Sequence, residues 1–144
     1  IIIPIILFFV DRDSLKMVDY SLLGTFFFFF IFAGNLARLD SVNTIISTLL
    51  QKDTLLVSVL SCQFISNVPS SILLSRFTTD YNALLLGVNI GGTGTLIASL
   101  ASLITFNEFK ILYPTQTKKY MLIFTIANIV FVSVLTLAAK LFWC

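Results

Sequence analysis

An all-α membrane fold, with transmembrane helices, one re-entrant helical hairpin and one discontinuous helix, is what this sequence predicts. Three observations carry that expectation. The 144 residues are 58% hydrophobic and only 11% charged, with a mean hydropathy of +1.01, whereas soluble domains carry about 25% charged residues. The charges fall in clusters that leave long uncharged stretches between them, and about 20 apolar residues are enough to cross a bilayer as a helix. Two of those stretches are broken at their centres by polar, glycine-rich or proline-containing segments, where a helix made only to cross lipid has no use for them.

Composition also removes function classes. The net charge is +2 and forms no basic stripe, so nucleic acid is not expected as a partner. There is no histidine, so the commonest metal ligand and general base is missing. Cys62 and Cys144 lack zinc or redox spacing and read as buried bystanders. No Asp or Glu falls inside the uncharged stretches, so an enzyme is not expected, and no cofactor is called for beyond a coupling ion.

The chain opens in an apolar run, IIIPIILFFV, without a signal-peptide pattern. It reads as the tail of a membrane helix and the chain as a fragment of a longer protein, residues 1–144 forming one transmembrane domain. Tyr20–Ala37, with its five consecutive phenylalanines Phe26–Phe30, is apolar all round, as a lipid-facing or deeply buried helix is; Asn35 reads as a helix end at the interface more than as a site residue. In Ser41–Gln51, Val42, Ile45, Ile46, Leu49 and Leu50 share one helical face, giving a short amphipathic helix along the interface or a connector between mobile parts.

Thr54–Ser75 is uncharged and long enough to span, yet its middle reads Ser-Asn-Val-Pro-Ser-Ser. Proline breaks the hydrogen-bond ladder and pushes its predecessor out of the helical region, while Ser66 and Asn67 suit an N-cap. The segment is expected to end one helix and start another, as a re-entrant hairpin; a single kinked helix is the alternative. Tyr81–Asn107 holds NALLLGVNI and LIASLASLITF as two half-helices around Gly91–Thr95, with the break drawn from Asn89. Packing plus a kink is the rival account of GGTGT, and a nucleotide loop is not supported, because neither a strand before it nor Gly-Lys-Ser/Thr after it is present. Ala98, Ala101 and Ser102 are small enough for a neighbouring helix to approach. Tyr120–Ala139 reads as an ordinary spanning helix, with Trp143 as an interface anchor.

Two helices broken at polar centres mark a secondary transporter with discontinuous helices. Each break frees N–H groups at a helix N-terminus, which favour anions, and C=O groups that, with hydroxyls, favour a hard cation. The candidate substrate- and ion-binding residues are Ser66, Asn67, Pro69 and Ser70 at the first break and Asn89, Gly91, Gly92, Thr93, Gly94 and Thr95 at the second. No residue here is an ionisable group at membrane depth, so this half offers ligands for Na+ as coupling ion rather than a proton carrier; an acid elsewhere in the whole protein would restore proton coupling. A structural or degenerate membrane repeat with no transport of its own is the second reading.

The stretches DYSLLGTFFFFFIFAGNL, SNVPS and GVNIGGTGTLIASLASLI resemble the ion-transporter superfamily of arsenite permeases, citrate carriers and divalent anion–sodium symporters. The resemblance covers about residues 19 to 106. It implies two inverted repeats, each with a re-entrant hairpin and a broken helix, working as a homodimer by an elevator-like movement in the plasma (inner) membrane. This chain would be the C-terminal repeat, and an N-terminal repeat would supply the other half of the site. By the same resemblance Ser66, Asn67 and Pro69 match the hairpin tip, and Asn89, Gly91, Gly92, Thr93 and Thr95 the unwound segment. Val68 stands where the symporters have threonine, which leans towards the arsenite-permease-like branch.

Overall fold

The computed structural model describes residues 20–142; the IIIPIILFFV run, the charges at Asp11–Asp19, Trp143 and Cys144 lie outside them. The described residues form seven α-helices and no strand: α1 Tyr20–Leu36, α2 Asp40–Lys52, α3 Thr54–Ile65, α4 Asn67–Leu74, α5 Tyr81–Gly91, α6 Leu100–Leu112 and α7 Thr117–Phe142, with short 3-10 turns at Leu96–Ala98 and Pro114–Gln116.

Local chemistry sets the boundaries. Asp53 caps α3, its Oδ1 accepting the Leu56 N–H at 2.8 Å, and Asp80 caps α5 in the same way through Ala83 N–H at 3.1 Å. Each cap satisfies one of the N–H groups that a helix start leaves without a partner. The apolar α1 turns through 95° into α2, as a helix lying along an interface would. Of the apolar face of α2, Val42, Ile46 and Leu50 pack into the core, while Ile45 and Leu49 stay exposed. The amphipathic face is therefore real but narrower than its five residues suggested.

Helices α3 and α4 fold back on each other. Ser61 and Ser70 share a hydroxyl–hydroxyl hydrogen bond of 3.0 Å, whereas nine residues along a straight helix would separate them by about 13 Å. The outer ends also meet: Thr54, from the start of α3, and Phe77–Asp80, after α4, line one cavity of about 370 Å³. The chain thus makes a helical hairpin with its turn at Ser66, and not a single kinked helix.

Helix α3 packs on α5 through small residues. Thr54, Ser58 and Cys62 form a buried stripe on α3 and face Ala83, Gly87 and Gly91 on α5. A Cβ at Gly87 would stand 2.6 Å from Ser58 Cβ and 2.7 Å from Leu55 O; one at Gly91 would stand 2.8 Å from Cys62 Cβ. Glycine at both positions is what lets the two backbones touch. The hydroxyls cost nothing in that interface, because Thr54 Oγ1 donates to Leu50 O and Ser58 Oγ to Thr54 O inside their own turns. Cys62 is fully buried, as its reading as a bystander requires. Leu50, Leu74, Phe77, Leu84, Val88 and Ala98 close the core on one side. On the other, Val132, Leu135 and Ala139 of α7 lean on Leu55, Val59, Ala83 and Ile90.

The outer helices are different. Neither α6 nor α7 has a buried residue. The segment from Pro114 to Phe142 is long and apolar enough to cross a membrane, and is the single helix among the described residues that passes alone. The second half-helix begins at Leu100, after the 3-10 turn, and runs on through Glu108 and Lys110 to Leu112. Its charges therefore sit on a helical turn rather than ending the helix. Of the small residues here, Ala98 ends the 3-10 turn and is fully buried, but Ala101 in α6 is exposed.

Candidate functional site: the hairpin tip and the helix break

The tip is built around one strained residue. Ser66 has φ 73° and ψ 159°, a region that glycine fills easily and other residues at a cost of about 1–3 kcal/mol. It is the only residue with positive φ among those described. The hydroxyl of Ser66 does not cap α4; it donates to Ala98 O at 3.3 Å, across to the 3-10 turn beyond the break. Asn67 opens α4, and its Oδ1 accepts the Val68 N–H at 2.8 Å. Its Nδ2 lies against Gly92, 2.8 Å from where a Cβ there would be. Pro69 sits in the first turn of α4, where the missing N–H does no harm. Ser70 is completely buried and faces Ser61 between the hairpin arms.

The break begins later than its sequence suggested. Asn89 lies inside α5, exposed, with its Nδ2 donating to Leu85 O at 2.7 Å. An amide that pairs one turn back lets the ladder continue, and the helix runs on to Gly91. Asn89 is therefore not brought to the tip. The unwound segment is Gly92–Thr95, followed by the 3-10 turn Leu96–Ala98. Thr93 Oγ1 folds back on Ile90 O at 2.7 Å, Gly91 and Gly92 are buried between the helices, and Gly94 lies against the side chain of Gln63.

Gln63 is the residue that the sequence reading passed over. It stands one turn before Asn67 and makes four bonds. Nε2 donates to Val59 O and to Gly91 O, both at 2.9 Å; Oε1 accepts from Thr95 N at 2.9 Å; and its backbone carbonyl accepts from Thr95 Oγ1 at 3.2 Å. It is the only carboxamide in α3, and a single amide in an apolar run next to a predicted tip was the available signal. Gln63, Gly94 and Thr95 also border a cavity of about 180 Å³ whose far wall is α7, with Thr125 and Ser133 as its polar members.

The structure thus brings together Ser66, Asn67, Gly92, Gly94 and Thr95 around the tip, with Gly91 and Thr93 at its edge. Ser70 lies within the hairpin and Asn89 on the outer face of α5. At the opposite end, Lys52, Asp53, Asp80 and Lys140 border one cavity of about 370 Å³, and Lys140 Nζ pairs with Asp53 Oδ2. Burial raises the Asp53 carboxyl, but the Leu56 N–H and the Lys140 ammonium outweigh it and hold its pKa below the usual carboxylate value. Among the described residues no three His, Cys, Asp or Glu side chains come together as a metal site.

The chain is 37% identical over 142 residues to an uncharacterized transporter of Methanocaldococcus jannaschii, a match that takes in 99% of this chain and 40% of that protein. It is 36% identical over 96 residues to the inner membrane protein YbiR of Escherichia coli, covering 65% of this chain and 26% of that one. The chain therefore spans less than half the length of the curated relatives it matches. No family model matches it, and no solved structure does.

Proposed function

We propose that the chain is the C-terminal repeat of a secondary active transporter in the plasma (inner) membrane, moving a small anion with Na+ as the coupling ion. The observation that carries this reading is the meeting of two interrupted helices: the hairpin tip at Ser66–Asn67 lies on the break at Gly92–Thr95. Two polar, non-helical segments at the centre of an apolar body need cover from protein or from a water-filled cavity, and a binding site supplies it. The similarity to proteins named as a transporter and as an inner membrane protein supports the same class.

In this reading α3 and α4 enter and leave the membrane on one side. The shared cavity at their outer ends and the Asp53–Lys140 pair favour that arrangement, which puts Lys52, Arg76 and Lys140 together. The start of α4, with the Asn67 amide and the N–H groups of its first turn, suits an anion. Hydroxyls of Ser66, Thr93 and Thr95 and the carbonyls of the break suit Na+. The partner repeat of the same protein completes the site, two copies form a homodimer, and lipid covers the exposed apolar faces of α1 and α7.

The test uses the full-length protein in vesicles, with small oxyanions offered under a Na+ gradient or a pH gradient imposed separately. Na+-driven uptake that falls by about tenfold or more in Asn67→Ala and Thr93→Ala, with insertion unchanged, is the expected result. Uptake driven by pH and indifferent to Na+ would replace the coupling ion. Full uptake by both variants would remove these residues from the site. Transport of nothing, under either gradient, would leave a structural repeat. Impermeant thiol labelling of cysteines placed at positions 52 and 78 should reach both from the same face; labelling from opposite faces defeats the hairpin.

A further inference from the structure

In an unbroken helix through this region, the Thr95 N–H would donate to the Gly91 carbonyl, four residues back. Here the side chain of Gln63 stands between them. Its Nε2 gives one hydrogen to Gly91 O and the other to Val59 O, each at 2.9 Å, and its Oε1 accepts the Thr95 N–H at 2.9 Å. The orientation of the amide is fixed by its partners, since both carbonyls can only accept and the Thr95 N–H can only donate. A carboxamide presents a donor and an acceptor side by side, as a peptide group does, so one side chain stands in for both halves of the missing bond.

Gly94 makes room for it. A Cβ at Gly94 would lie 2.0 Å from Gln63 Oε1 and 2.6 Å from its carbonyl carbon. No glycine among the described residues has positive φ, so glycine is needed at position 94 for space and not for its backbone freedom. On the other side of Ser66, Asn67 lies on Gly92 in the same way. The hairpin tip therefore grips the glycine run at two points.

We infer that Gln63 is the positioning residue of the site, its carboxamide inserted between Gly91 and Thr95 so that the helix break is held open and tied to the hairpin tip. This deepens the transporter reading and rests on it for its functional meaning, though the geometry stands without it. When the amide is absent, the buried Gly91 O loses its second donor and the Thr95 N–H loses its acceptor.

The measurement is hydrogen exchange at the Thr95 amide in the full-length protein, corrected for intrinsic exchange rates, with anion uptake read in parallel. Gln63→Leu should lower protection at Thr95 by about tenfold. Gln63→Glu is the sharper variant. A protonated carboxyl can donate to Gly91 O and accept from Thr95, giving up only the bond to Val59 O; a carboxylate has no donor, so the Gly91 and Val59 carbonyl oxygens repel it from the slot and the Thr95 N–H loses its acceptor with it. Protection in Gln63→Glu should therefore be higher at about pH 5 than at about pH 8, because the part-buried site and the two facing carbonyl oxygens favour the neutral carboxyl. Uptake relative to wild type at the same pH should follow. Should Gln63→Leu fail to fold, the Gln63→Glu titration of one folded sample carries the test alone. Gly94→Ala should expel the amide, so adding it to Gln63→Ala should do no further harm. Protection in Gln63→Glu that ignores pH, or additive loss in the double variant, would overturn the inference and leave transport untouched. Absence of transport with the pH signature intact would remove the transporter reading and leave the position of Gln63 standing.

Discussion

Two pairs of neighbouring helices in this molecule are held by opposite means. Helices α3 and α5 touch backbone to backbone, with Ser58 against Gly87 and Cys62 against Gly91, and every residue of that seam is buried. Helices α6 and α7 meet through rings: Phe109 and Tyr120 stack at 4.5 Å between centroids, and Phe106 and Phe124 extend the row on either side. No residue of either helix is buried. In lipid the apolar face of a helix gains nothing by leaving its surroundings, so close packing has to come from small residues that let many atoms meet. The first seam has that property and fixes the hairpin to the break. The second holds two helices side by side and leaves most of their surface to the solvent around them, lipid in the reading proposed here.

The largest expected effect is on the first seam. Leucine at Gly87 would drive its side chain into Ser58 and the Leu55 carbonyl, so Gly87→Leu should destabilise by about 3 kcal/mol or prevent folding, read as loss of the monodisperse species on size exclusion. A well-behaved, normally melting variant would mean that α3 and α5 are not in contact as described. The tip comes next, with the opposite sign. Ser66→Gly relieves the positive φ and should stabilise by about 1 kcal/mol, net of the hydrogen bond to Ala98 and the freedom gained by the unfolded chain. A lower melting temperature in that variant would show that the Ser66 hydroxyl matters more than the strain.

At the charged end, Asp53→Ala removes a helix cap and should cost about 1 kcal/mol, whereas Asp53→Asn keeps the cap and loses only the ion pair. The folded-state pKa of Asp53 is lowered, so its contribution is present in full above the ordinary carboxylate value of about 3.9 and is lost as pH falls through the lowered one. Melting followed against pH should show that acid-side slope in wild type and a weaker one in Asp53→Asn. Smallest is the aromatic seam: Tyr120→Leu removes the stack on Phe109 and should cost about 0.5–1 kcal/mol. A loss as large as that of Gly87→Leu would erase the distinction between the two pairs.

Much of the first seam was legible in the sequence, and the way it was missed is instructive. Thr54, Ser58 and Cys62 repeat every four residues, as do Ala83, Gly87 and Gly91, and small residues at that spacing mark close helix contacts. Gly91, Gly92 and Gly94 drew attention as a break, which Gly92 and Gly94 do form, while Gly91 belongs with Gly87 to the packing. The turn at Ser66 was readable because Pro69 has no N–H to carry a continuous ladder through the segment. The end of α5 was not, because Asn89 looks like a breaker and is in fact paired inside its helix. Gln63 escaped because its partners are 28 and 32 residues away, and no local pattern announces a bond of that range. Charges were read as punctuation, which served for Asp53 and Asp80 at helix starts but not for Glu108 and Lys110, which ride on an exposed turn of α6.

The lengths of the hairpin arms have an electrical consequence. Twelve residues of α3 rise about 18 Å and eight of α4 about 12 Å, against a hydrocarbon core of roughly 30 Å. A hairpin that enters from one face thus places Ser66 and Asn67 near half depth. A unit charge arriving there has crossed on the order of half the transmembrane voltage, which is about 1 kcal/mol for every 100 mV. In the transporter reading proposed above, binding and release of a charged ligand would each carry part of the current, and the voltage dependence of the two steps would report how deep the tip sits.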